Sequence, residues 1–194
     1  MQNYLPAARR QTGLSLLEVL IATIVLSAGL LGLAGLQISG MKTTHNSYQM
    51  QQATWLVYDL LERMRANKTE VFRTSGSSSS QIPASNYLLT TTTVAATYCA
   101  TPLTKDCSTA SDCTNAEVAT YDLHNILCGH GANTGINNTL LGGQIQITCP
   151  SANNCRRGVR IHLQWDERNP TRQTDMDGGT DGIETFNIQL TAIL

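Results

Sequence analysis

Hydrophobic positions fall into three regimes along the chain. The first is unbroken: from Val19 to Leu36 no side chain is charged, and about 18 such residues at ~1.5 Å rise each are enough for a membrane-spanning helix. The run opens at Gly13-Leu14-Ser15-Leu16-Leu17-Glu18. Glu18 breaks the pattern, because a carboxylate one turn into an apolar helix is costly unless a cation meets it.

The second regime begins beyond Lys42. Met50, Ala53, Val57, Leu60, Leu61 and Met64 recur at three- and four-residue steps, predicting an apolar stripe on a continuing helix that lies against a globular head. Asp59 and Arg63 are spaced to pair on another face. A helix from Leu14 to about Ala66 would be roughly 80 Å long at ~1.5 Å per residue, so it is a stalk as well as an anchor. At its end Arg63, Arg65 and Lys68 suit the negative pole of the helix as solvated cap charges, and Asn67 suits a left-handed cap.

In the third regime the apolar positions come in shorter pieces. Thr74 to Ser80 reads as a flexible loop, and Tyr87 to Tyr98, rich in threonine and β-branched residues, as one or two strands. Thr114-Asn115-Ala116-Glu117 is a capping box, followed at helical spacing by Ala116, Ala119, Leu123, Ile126 and Leu127 until Cys128-Gly129 closes the helix. The last third predicts an antiparallel meander: Gln144 to Thr148; then Val159, Ile161, Leu163 and Trp165 alternating with polar residues; then Phe186, Ile188, Leu190 and Ala192.

Composition adds the compartment. The 194 residues suit one domain plus an anchor. All six cysteines, Cys99, Cys107, Cys113, Cys128, Cys149 and Cys155, lie beyond the apolar run, an even count that fits disulfides in an oxidising periplasm. Cys149 and Cys155 flank a turn between two strands and suit a local bridge. Six cysteines allow 15 pairings, of which Cys107 with Cys113 and Cys99 with Cys128 complete the chosen set. Net charge is −1, and losing Arg9 and Arg10 with a leader would leave 11 basic side chains against 14 acidic. That balance argues against an extended nucleic-acid-binding surface.

The leader Met1 to Gly13 contains Arg9 and Arg10 and no acidic residue, which places the N-terminus in the cytoplasm by the positive-inside tendency. Its small residue stands before the apolar run, where a secretory signal would have one after it. Cutting after Gly13 keeps the helix and creates an α-ammonium at Leu14, close enough in sequence to pair with Glu18 of a neighbouring copy.

These residues resemble the class III signal of type IV pilins and type II secretion pseudopilins, with Leu14 where major pilins usually have phenylalanine. The resemblance implies that a prepilin peptidase cuts between Gly13 and Leu14 and N-methylates Leu14, and that Glu18 aids docking into a filament. It also suggests that Gly35, standing where major pilins place a proline, loosens the helix during assembly; close helix packing through Gly29, Gly32, Gly35 and Gly40 is an equal reading. Glu62-Arg63-Met64-Arg65-Ala66-Asn67 resembles the end of the stalk helix in minor pilins of the type IV pilus modification protein PilV family, and a Cys before a helix containing Tyr121-Asp122-Leu123 does so more weakly.

Two constellations compete with a purely structural reading. Cys128-Gly129-His130 with His124 has no paired metal-ligand spacing, so disulfide chemistry is favoured over zinc. Asp175, Asp177, Asp181 and Glu184 cluster oxygen ligands as calcium loops do, but Phe186 stands where an EF-hand needs its twelfth-position acid; a glycine-turned loop between strands is favoured. No order of nucleophile and base supports an enzyme, and no cofactor is implied.

The expected architecture is α+β, the type IV pilin fold: leader 1–13, transmembrane half-helix 14–40, amphipathic stalk 41–73, and a head 74–194 built on an antiparallel sheet with a disulfide-framed insertion. The expected protein is a minor pilin at the pilus tip that primes assembly and supports adhesion and twitching motility. Its expected partners are the prepilin peptidase, other minor and major pilins, the inner-membrane assembly platform and a large tip adhesin. A pseudopilin of type II secretion or of competence, or a ligand-binding head on a plain anchor, are the other readings.

Overall fold

The computed structural model describes residues 15–73, 84–109, 112–130, 134–150, 155–168 and 183–194. The chain divides into two units, Met1–His45 and Asn46–Leu194. Helix α1 spans Leu16–Ala66 without interruption, so Gly29, Gly32, Gly35 and Gly40 are all helical. A Cβ at any of the four would meet nothing within 4 Å, so within this chain none of them makes room for a neighbour.

In the first unit no described residue is buried. Leu16 is 91 % exposed and Leu31 75 %, and the segment is long and apolar enough to cross a membrane by length and composition. Two of its hydroxyls are satisfied from within, as a low-dielectric surrounding favours. Thr23 Oγ1 donates to the Leu20 carbonyl at 2.9 Å and Ser27 Oγ to the Thr23 carbonyl at 2.7 Å.

The second unit contains the core. Ala53, Leu56, Val57, Leu60, Leu61 and Met64 of α1 are buried together with Leu123, Ile126 and Leu127 of α4, which spans Asn115–Cys128. Met50, expected on the same stripe, is 41 % exposed; Leu56 is buried in its place, because the buried face steps through Met64, Leu60, Leu56 and Ala53 back to Gln49, whose Oε1 is buried, and leaves Met50 to one side. After α1 come a short helix α2 (Lys68–Val71), strand β1 (Leu89–Val94) and α3 (Ala95–Cys99). α3 corrects the expectation of strand up to Tyr98. Ala95 is fully buried and its N–H donates to the Gly143 carbonyl at 2.9 Å, while a disulfide holds Cys99; tertiary anchors override the local β preference.

α5 (Ile136–Thr139) and β2 (Gln144–Thr148) follow. Gly129 and Gly135, at φ +71° and +79°, close the loop between α4 and α5. A Cβ on Gly129 would collide with the Thr134 carbonyl, and one on Gly135 with the Gly129 backbone. A 3₁₀ turn (Cys155–Arg157) leads into β3 (Val159–Arg168), and β4 (Ile183–Ala192) ends the sheet. The sheet is antiparallel in the order β1-β2-β3-β4. Its inward residues on β2 and β3, Ile145, Ile147, Val159, Ile161, Leu163 and Trp165, are at most 1 % exposed, and Phe186 of β4 stacks on Trp165 with ring centroids 6.1 Å apart.

Candidate functional site

Two features carry the functional argument, one in each unit. In the first, Ser15 starts α1: the Leu17 N–H donates to Ser15 Oγ at 3.2 Å and the Glu18 N–H to the Ser15 carbonyl at 3.0 Å. Glu18 is exposed in the first turn, where the helix dipole favours a carboxylate. No ion pair to it occurs among the described residues. Gly13 and Leu14, the expected cleavage pair, lie outside the described residues.

In the second unit a polar clasp joins three stretches of chain. Asp122 on α4, 7 % exposed, accepts from the Tyr87 hydroxyl at 2.5 Å and from Arg63 Nη1 of α1 at 3.0 Å. Arg63 Nε in turn donates to Asp59 at 3.2 Å. Asn67 Nδ2 donates to the Asn115 carbonyl at 2.7 Å and reaches the Tyr87 oxygen at 3.5 Å. Both oxygens of a buried carboxylate are therefore used, the condition under which burying a charge is tolerated.

The clasp's electrostatics follow from this packing. Burial raises the pKa of the Tyr87 phenol, and its bond to Asp122 holds the proton further. For Arg63 burial works against the cation, but Asp122 and Asp59 outweigh it and the pKa is raised. Arg63 is thus not a solvated cap charge, and Asn67, at φ −115°, is not a left-handed cap. Arg63 spends its nitrogens on Asp59 and on Asp122 of α4, and Asn67 spends its amide on the Asn115 carbonyl and Tyr87. Arg65 does remain on the surface, paired with Glu62.

A second clamp lies one turn further on. Glu70 of α2, 2 % exposed, pairs with Arg73 at 2.7 Å and accepts the Asn86 N–H at 2.8 Å. Asn86 Nδ2 then donates to the Ala116 carbonyl and Thr120 Oγ1 of α4, both at 3.1 Å.

Disulfides and a cap frame the rest of the insertion. Cys99–Cys128 links the ends of α3 and α4, while Cys107–Cys113 and Cys149–Cys155 close short loops. At the start of α4 the Thr114 and Glu117 side chains cap each other's backbone, and Lys105 bridges Glu117 and Asp112 at 3.3 and 3.5 Å. The Thr114 bonds, then Lys105, hold the Glu117 carboxyl below its usual range. A cavity of about 270 Å³ opens beside α4, lined by Tyr98, Pro102, Leu103, Thr120 and His124 among others.

For metals, the bonding of Cys128 to Cys99 removes the thiolate a zinc set at Cys128, His130 and His124 would need. Asp175, Asp177 and Asp181 lie outside the described residues, and Glu184 stands on β4 opposite Glu167. Among the described residues no three His, Cys, Asp or Glu side chains group to hold an ion. Arg63 and Tyr121-Asp122-Leu123 belong to separate sequence motifs; the structure brings Arg63 and Asp122 together.

Comparison with known proteins gives one finding. The family described as Tt1218-like, type IV pilin Tt1218, matches residues 35–124, a stretch that begins within α1 and includes every residue of the clasp. No curated protein and no solved structure matches the chain.

Proposed function

We propose that the chain, which matches a type IV pilin family over residues 35–124, is a type IV pilin-like protein that works as a minor pilin. Before assembly it is held in the inner membrane by a single span, with its N-terminus cytoplasmic and its head periplasmic. The prepilin peptidase cuts between Gly13 and Leu14 and methylates the new terminus. The α-ammonium of Leu14 on one subunit then meets Glu18 of another, and the apolar helices gather into a filament core. The head joins other minor pilins near the tip, primes assembly on the inner-membrane platform, presents a large tip adhesin, and so supports attachment and twitching motility.

The observation that carries this reading is the first half of α1. Its apolar side chains are exposed on every side from Leu16 to Met41, the Thr23 and Ser27 hydroxyls are internally satisfied, and its one carboxylate has no cation among the described residues. Such a surface needs lipid or other helices around it, and such a carboxylate needs a cation from elsewhere. The resemblance of residues 62–67 to the end of the PilV stalk favours the pilus over the type II secretion or competence pseudopilus.

Mass spectrometry of the N-terminal peptide from the membrane-purified protein tests it, with and without the peptidase. The expected mature chain begins at N-methylated Leu14 only when the peptidase is present. A chain that keeps Arg9 and Arg10 in both strains reduces the run to a plain anchor and overturns the proposal. Presence of the protein in sheared surface fibres separates a pilus from a secretion pseudopilus.

A further inference from the structure

The two edges of the sheet are finished differently. β1 is short, its register to β2 slips between Leu89 and Thr93, and it runs straight into α3; these are common ways of blunting an edge. β4 has none of them. It is ten residues long, pairs with β3 in unbroken register from Ile183 to Ala192, contains no proline, glycine or lysine, and has Glu184 as its sole charge. No strand pairs with its other side among the described residues. Alternate backbone N–H and C=O groups on that side are open to another strand.

The core is also unfinished there. Inward apolar residues of β2 and β3 are at most 1 % exposed, whereas Phe186, Ile188, Leu190 and Ala192 are half-buried. On the outward face Ile183 is 43 % exposed and Ile193, just past the strand, 76 %.

We propose that β4 pairs edge to edge, antiparallel, with β4 of a second copy of this chain, about a two-fold axis at Ile188. The sequence of the strand argues for this occupant, because it is self-complementary in that register. Ile188 faces Ile188 of the second copy. Phe186 faces Leu190, and Glu184 faces Ala192, so no like charges meet. On the other face Asn187 lies opposite Gln189, Thr185 opposite Thr191, and Ile183 opposite Ile193. Apolar pairs form on the side where the core is open, amide and hydroxyl pairs on the side facing water, and the two exposed isoleucines cover each other. These are the pair types that stabilise antiparallel sheets. Moving the axis to Asn187 sets Glu184 against Leu190 and Ile183 against Thr191, and a one-residue slip turns the apolar set to the wrong face.

The pairing goes beyond the minor-pilin reading and does not depend on it. Analytical ultracentrifugation of the full chain in detergent tests it, with two double variants at exposed positions whose β3 neighbours, Gln164 and His162, bear no formal charge at neutral pH. Asn187→Lys with Gln189→Lys sets lysine against lysine across the axis, while Asn187→Lys with Gln189→Glu sets lysine against glutamate. The wild-type chain is expected to be dimeric and the first variant to dissociate about tenfold more readily, since directly opposed like charges destabilise paired strands. The second is expected to restore the dimer, and near-UV circular dichroism to match wild type in both. A monomeric wild type, including one that instead captures an extended peptide from another protein, overturns the proposal. So does a dimer equally strong in both variants, which would arise from the apolar helix, or a loss that is equal in both.

Discussion

Removing the Asp122 carboxylate tests whether the clasp holds the head together. In Asp122→Ala the Tyr87 hydroxyl, on a fully buried side chain, loses its acceptor. Stranding a buried donor costs about 1–3 kcal/mol, and the lost bond was to a charged group, which puts the cost in the upper half of that range. Arg63 keeps Asp59 at 3.2 Å and its side chain is 31 % exposed, so solvent screens its loss, which adds about 0.5–1 kcal/mol. The sum is about 3 kcal/mol. For a chain of this size that lowers Tm by roughly 6–12 °C.

The assay is thermal unfolding of the full chain in detergent, followed by near-UV circular dichroism so that the head is reported and the membrane helix is not. Asp59→Ala serves as the control and should cost less than about 1 kcal/mol, because it removes only the exposed arm of the pair. Adding Tyr87→Phe to Asp122→Ala should recover part of the loss, since the stranded hydroxyl is gone. If Asp122→Ala unfolds within a degree of wild type, or no more easily than Asp59→Ala, the clasp does not stabilise the head and the reasoning fails.

Three further outcomes are expected. Stability should fall above about pH 10, because tyrosine in the unfolded chain ionises there while Tyr87, with its raised pKa, keeps its proton; its contribution is complete below that pH and declines by about 1.4 kcal/mol per pH unit above it, so the fall should shrink in Tyr87→Phe in alkaline denaturant titrations to the share of Tyr98, whose pKa burial also raises. Replacing both Cys99 and Cys128 with serine should cost about 3–4 kcal/mol in urea unfolding, against about 2 for Cys107 and Cys113, because sequence separations of 29 and 6 release different amounts of unfolded-chain entropy; equal losses would refute that account. Glu18→Ala should leave cleavage after Gly13 intact but lower the protein's share in sheared filaments, measured by immunoblot, and undiminished incorporation would remove Glu18 from docking.

How far the sequence discloses the fold depends on how local each cause is. The α4 cap is written within Thr114 to Glu117, and the inward phase of β3 within Val159 to Trp165, so both are legible from spacing. Glu167 continues that inward phase at 5 % exposure, which a count of apolar residues passes over. α3 is illegible because its helix depends on where Ala95 and Cys99 are anchored. The clasp is illegible for the same reason on a longer scale: Arg63 meets Asp59 four residues back, which spacing predicts, and Asp122 fifty-nine residues on, which no local pattern can. The family match gathers both ends of that contact into one segment, 35–124, without saying that they touch.

The same separation sets a timetable for synthesis. A chain made from its N-terminus at about 5–20 residues per second exposes the apolar stripe Ala53–Met64 several seconds before Asp122 and the apolar face of α4 emerge to cover it. During that interval the stripe has no partner within its own chain, and Arg63 has only Asp59. The Leu16–Met41 segment can by then already be seated in lipid, so the nascent head waits at a membrane surface with an unfinished greasy helix. A holding factor or the bilayer itself has its opportunity in those seconds, and it closes when Tyr87 and Arg63 find Asp122.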